Sequence, residues 1–85
     1  DARLVEVTLA ADSPAGNRAF SELGVPRDAT VVAIIRERHV IVPRGETVME
    51  TGDEVLVLVT PESEEQVKML FVGASARPTG VRTGG

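Results

Sequence analysis

The sequence predicts a small α+β domain, a sheet of mostly antiparallel strands with two short helices in the order β-α-β-β-β-α. Three observations predict it. Val31 to Ile35 and Val55 to Val59 are wholly apolar strand-length runs. A residue pair that starts helices, Ser13-Pro14 and then Thr60-Pro61, occurs twice. Between the two apolar runs lie a short polar connection, a segment ending in Pro43 and a Gly52-Asp53 turn signal.

Taken in order, Val5, Val7 and Leu9 alternate with Glu6 and Thr8, the period of a half-buried strand. Ser13 then suits an N-cap, with Pro14 at the first helical position, where its missing N–H is not needed. Ala15, Ala19, Phe20 and Leu23 fall near one face of the helix this predicts, and Gly24 and Pro26 close it. The run ending in Arg36 reads as the next strand, Glu37-Arg38 as a tight connection, and the segment to Pro43 as its partner. Gly52-Asp53 supplies turn chemistry, and Asp53 is read as serving that turn. After the strand Val55 to Val59, Thr60-Pro61 opens a second helix. Glu62, Glu64 and Glu65 suit its positive end, and Val67, Leu70 and Phe71 form its apolar stripe. From Val72 onward there is no periodicity, so the domain is placed at residues 3–71 and residues 72–85 are expected to be a disordered, dispensable tail.

Composition narrows the function. The chain has 85 residues, enough for one small domain, and no cysteine, which excludes disulfides and thiolate-ligated zinc. No apolar run approaches the roughly 20 residues a membrane helix needs, and no leader pattern suggests secretion. Direct membrane insertion is therefore not expected, and a cytoplasmic location is. The first residue is Asp1 rather than Met, which suggests a piece of a longer protein. The net charge is −4, and Arg77 and Arg82 lie in the tail with no acidic residue beside them, so the remainder is more acidic still. With Phe20 and Phe71 as the two aromatics, the chain lacks the basic face and stacking platforms of nucleic-acid binding, which is not expected.

Catalysis is not expected either. His39 is the single histidine, and Ser13, Ser21, Ser63 and Ser75 read as cap, helix surface, first turn and tail. No nucleophile elbow or phosphate-binding glycine loop is present. Glu37 and His39 would offer two metal ligands where a transition metal wants three or four. The two apolar strands say more. Strand side chains alternate between faces, so each is apolar on both. Two short helices on one face leave the other bare, which points to a homodimer with a symmetric groove. If the helices instead lie on opposite faces, the monomer is complete. Arg36, Arg38, Arg44 and His39 gather around the hairpin, with Arg27 ahead of it. Guanidinium groups grip phosphate in a bidentate manner, and aliphatic side chains can sandwich a purine. The alternative is that these arginines solvate the hairpin and pair with Glu37, Glu46 and Glu50.

In order along the chain stand Gly16, Glu22-Leu23, Val31-Val32-Ala33-Ile34-Ile35-Arg36, Val42-Pro43 and Gly52-Asp53. This ordered set resembles the C-terminal domain of RCK regulators, also called the TrkA-C domain, over roughly residues 3–71. The resemblance implies a cytoplasmic homodimer that regulates a prokaryotic potassium channel, potassium transporter or cation/proton antiporter. The membrane transporter or channel subunit would lie elsewhere. Several such domains bind cyclic di-AMP at the dimer interface. Carried onto this chain, Val31, Val32, Val40, Ile41 and Pro43 would contact adenine, Arg27 or Arg36 would meet phosphate, and His39 would be a polar contact. The segment Pro26–Thr30 departs from the basic-Tyr-Gly segment and Asn of many cyclic di-AMP-binding members, and it places Asp28 near the phosphate position. The competing expectations are a ligand-free dimerisation module and, third, a divalent-cation site at the interface.

Overall fold

The structure is a computed structural model that describes residues 1–72. The tail expected over residues 72–85 therefore lies, apart from Val72, outside the described residues. Four strands, β1 (Arg3–Thr8), β2 (Thr30–Arg36), β3 (His39–Ile41) and β4 (Glu54–Val59), form one antiparallel sheet in the order β1-β4-β2-β3. One α-helix, α1 (Pro61–Phe71), follows β4. The α+β class and the strand order along the chain are as the sequence predicts.

The first helix is the exception. The expected helix over Ser13–Leu23 is instead a series of turns ending in a single 3-10 turn, Phe20–Glu22. The capping signal itself is present, since the Ala15 amide donates to Ser13 Oγ at 3.0 Å and the Gly16 amide to the Ser13 carbonyl at 3.2 Å. Propagation then stops at Asn17, whose φ of 63° is left-handed. Beyond it the backbone pairs with residues 45–49. Asn17 donates to the Met49 carbonyl at 2.9 Å, Phe20 to Thr47 at 2.7 Å and Ser21 to Gly45 at 3.0 Å. Gly16-Asn17 is a poor helix pair, and a tertiary partner took the amides that a helix would have used.

The central strands hold their register through a bulge. Val31 faces Val57 and Ala33 faces Leu56, so Val32 is the extra residue. The bulge resets the alternation, so Val31 and Ile34, three apart, both lie on the inner face with Val55 and Val57. That face carries the core: Val7, Leu9, Ala15, Leu23, Ile34, Met49, Val55, Val57, Val59, Val67 and Phe71. Both α1 and the segment from Leu9 to Leu23 therefore cover the same side of the sheet. Helix α1 starts with a reciprocal cap, with the Ser63 amide 3.3 Å from Thr60 Oγ1 and the Thr60 amide 3.0 Å from Ser63 Oγ.

The β2–β3 connection is a two-residue hairpin with Arg36 opposite His39, and Glu37 and Arg38 have φ of 51° and 70°. Positive φ at both positions marks the turn whose twist suits a hairpin, usually built from Asn-Gly. Left-handed backbone costs a non-glycine residue roughly 1–2 kcal/mol. Arg38→Gly is accordingly expected to raise stability by about 1 kcal/mol, read as a higher urea midpoint with an unchanged slope.

The opposite end of the sheet is tied by charge. Arg3 Nε donates to Glu64 Oε1 at 3.0 Å, and Lys68 Nζ lies 3.3 Å from Glu64 Oε2. The Arg3 guanidinium foremost holds the Glu64 carboxyl below the usual carboxylate range, against the opposing effect of burial and with a lesser pull from the Lys68 ammonium. A carboxyl whose pKa is lower folded than unfolded stabilises the fold above its unfolded pKa, and the gain is lost as pH falls through that range to the folded pKa. Glu64→Gln should therefore be less stable than wild type at neutral pH and converge with it on acidification, as seen in melting temperatures taken from pH 7 downward.

Candidate functional site

Chemistry-bearing side chains concentrate where the β2–β3 hairpin meets the segment between Val42 and Asp53. At its centre is an ion pair. Asp53 is 1% exposed, and its carboxylate accepts from Arg36 twice, Nε to Oδ1 at 2.8 Å and Nη2 to Oδ2 at 2.8 Å. The Glu50 amide also donates to Asp53 Oδ2, at 2.9 Å. Arg36 Nη2 donates further to the Val48 carbonyl at 2.9 Å, and Nη1 lies 3.1 Å from Glu50 Oε2. The hydrogen bonds that Arg36 donates to Asp53, then the charges of Asp53, Glu50 and Glu37, raise the Arg36 pKa above its ordinary value against the effect of burial. Asp53 therefore does more than shape a turn. Sequence reasoning missed this pairing because the partners are far apart in the chain, and a Gly-Asp step explains itself locally.

The predicted ligand residues fall into three groups. Val31 and Ile41 turn toward the core, opposite Val57 and Ile34, and are partly buried there. Val32, exposed in the bulge, and Val40, opposite Ile35 and 70% exposed, face outward. Pro43 is half-buried where the chain leaves β3. Arg27 and His39 are exposed and make no side-chain hydrogen bond or ion pair among the described residues, whereas nearly every N–H of Arg36 is engaged. The expected pairing of hairpin arginines with glutamates thus holds for Arg36 and Glu50, while Arg38 and Arg44 make no such pair among the described residues.

Arg27 also lines a shallow depression of about 280 Å³ with Pro26, Asp28, Glu62, Ser63 and Gln66, at the start of β2 beside the first turn of α1. Ser63 is buried there and its Oγ donates to the Asp28 carbonyl at 3.3 Å, tying this loop to the helix. Among the described residues no three His, Asp or Glu side chains group as a metal site. No described helix is long and apolar enough to cross a membrane.

The outer sheet face completes the site. Leu4 pairs with Leu58, Ala33 with Leu56, and Ile35 with Val40, forming an apolar stripe across all four strands. Leu4 is 58% exposed and Leu58 41%, and no described element of the chain covers them. Among the described residues this face is left open, because the segments meant as helices share the inner side.

The described residues thus form a small α+β domain whose antiparallel sheet has one open apolar face and a charged hairpin at its edge. The chain belongs to the TrkA-C domain family, which it matches over residues 4–72. It is 41% identical over 71 residues to the Trk system potassium uptake protein TrkA of Mycobacterium tuberculosis, covering 84% of this chain and 32% of that protein. A TrkA homolog of Archaeoglobus fulgidus is 31% identical over 68 residues, 80% of this chain and 16% of the homolog. The chain thus spans about a third or less of the curated relatives it matches. Among solved structures, the RCK_C domain dimer of S. agalactiae BusR in complex with c-di-AMP superposes with a TM-score of 0.72 at 28% identity, covering 85% of this chain and 93% of that one.

The ion pair makes a direct prediction. Asp53→Ala leaves the half-buried Arg36 guanidinium without its main partner, and losing one member of such a pair costs about 3 kcal/mol or more. Urea denaturation should show a loss of that size, well above that of Glu50→Ala at the exposed edge of the same cluster.

Proposed function

We propose that this chain is a regulatory domain of a potassium uptake system, or of a related cation transporter, that dimerises through its open sheet face and binds cyclic di-AMP between the two copies. The observation that carries this reading is the outer stripe of Leu4, Leu58, Leu56, Ile35 and Val40, an apolar surface with no described element over it. The similar BusR domain, described as a dimer in complex with c-di-AMP, supports both halves of the reading. The TrkA relatives support potassium uptake as its setting. Under this reading the domain is regulatory rather than catalytic, is cytoplasmic, and acts on a membrane channel or transporter subunit.

In the ligand site, Val32 and Val40 supply outward apolar shelves, with Val31, Ile41 and Pro43 behind them and His39 as a polar contact. Of the two candidate phosphate ligands, Arg27 has an uncommitted guanidinium, whereas Arg36 is bound to Asp53. Arg27 is therefore assigned to phosphate. Asp28 beside it faces the same solvent and moderates rather than cancels its charge. Ile35, not the fully buried Ile34, is the dimer-facing residue of its strand.

Sedimentation with calorimetry tests both parts together. Wild type should sediment as a dimer at micromolar concentration and bind one cyclic di-AMP per dimer, with cyclic di-GMP and ATP much weaker. Ile35→Asp should give monomers by placing a charge in the contact. Arg27→Ala should keep the dimer but weaken binding by roughly one to two decades, the loss of a charge-assisted hydrogen bond. A dimer that binds none of the three nucleotides would leave the ligand-free dimerisation module as the function. A monomeric wild type would remove the shared groove altogether.

A further inference from the structure

The segment from Val42 to Asp53 contains no strand or helix, yet it is anchored on two sides. Toward the irregular layer, Met49 is fully buried, its amide donates to the Arg18 carbonyl at 2.9 Å, and the Thr47 and Gly45 carbonyls accept from Phe20 and Ser21 at 2.7 and 3.0 Å. Toward the sheet, the side-chain link runs through Arg36, which binds the Val48 carbonyl, Glu50 and Asp53 at once. Asp53 is itself fixed, since its carbonyl accepts from Leu9 at 2.8 Å and its amide donates to the Glu50 carbonyl at 3.0 Å. Arg36 stands directly opposite His39, one residue before Val40. The guanidinium thus ties the segment that begins at Val42 and Pro43 to the end of β2, one ladder position from the Ile35–Val40 pair.

We propose that Asp53 is a positioning residue for the ligand site: acting through Arg36, it fixes the Val40–Pro43 shelf against β2 without touching the ligand. The inference rests on the cyclic di-AMP reading above. Under it, ligand affinity depends on a buried carboxylate on the far side of the guanidinium, and Arg36 is a strut rather than a phosphate ligand.

Asp53→Asn tests this by the sign of its effect. The amide keeps an acceptor and the shape but removes the charge that holds Arg36. Calorimetry with cyclic di-AMP, run well below the melting temperature on variant dimers with unchanged circular dichroism, should show the dissociation constant raised roughly tenfold. Arg36→Gln should raise it similarly, and the double variant should be no worse than Arg36→Gln alone, because both act through one link. A dissociation constant unchanged in Asp53→Asn makes the pair purely structural and overturns the proposal. A lowered one also overturns it, because a released Arg36 would then be reaching the phosphate.

Should Asp53→Asn not fold, amide exchange in wild type decides. The Glu50 amide bonds directly to Asp53 Oδ2. Coupling between sites is reciprocal, so cyclic di-AMP should increase protection of that amide. Unchanged protection overturns the proposal. Wild type that binds no cyclic di-AMP sinks the ligand reading itself and the positioning role with it, so the wild-type and variant titrations report on the two separately.

Discussion

The bond between Arg36 and Asp53 is the constraint around which the irregular half of this domain is organised. The sheet and α1 are held by ordinary means: ladder hydrogen bonds, a reciprocal cap and a core running from Leu9 through Phe71. The segment between β3 and β4 forms no strand or helix; Met49 and its backbone bonds to residues 17–21 fix its inner side, and side chains fix it to the sheet. Its carbonyl at Val48, its carboxylate at Glu50 and its turn at Asp53 converge on one guanidinium at the end of β2. A planar fork with five donors is the side chain suited to such a junction, whereas a lysine has three donors on one nitrogen and could not make all four of these contacts. Burying the carboxylate is costly in isolation, and three hydrogen bonds to it offset that cost.

That junction also decides how the sheet faces the outside. With Arg36 drawn to one side, the residues flanking it on β2 and β3, Ile35 and Val40, stand on the other. They continue a stripe through Ala33, Leu56, Leu58 and Leu4. The bulge at Val32 keeps the stripe continuous by resetting the alternation midway along β2. Dimerisation over this stripe would place two hairpins and two Arg27 loops around one axis, and a ligand with two bases and two phosphates has that symmetry.

The first half of the chain shows local signal and tertiary demand in conflict. Ser13-Pro14 starts a turn as its chemistry requires, and the Ser13 hydroxyl also donates to the Leu70 carbonyl at 3.2 Å at the end of α1. The turn goes no further because the 45–49 segment needs hydrogen-bond partners and the 17–21 backbone supplies them. Phe20 and Leu23, read as a helical stripe, still reach the core, so the binary pattern was right while the element type was not.

By itself the sequence determined the class, the strand runs, the second helix with its cap, the tight hairpin at Glu37-Arg38 and the two-sided apolar character of the central strands. All of these rest on contacts between near neighbours or on periodicity, which a linear chain displays. It also determined the family, because Gly16, Arg36, Pro43 and Gly52-Asp53 keep their order and spacing. Only the tertiary structure decided that Arg36 belongs to Asp53, that Val31 and Ile41 turn inward while Val32 and Val40 turn outward, and that both covering segments share one face. Those outcomes depend on register, on one extra residue in a strand and on pairing across the chain. None of them leaves a local trace, because an arginine reads the same in one dimension whether its partner is a carboxylate 17 residues away or a phosphate.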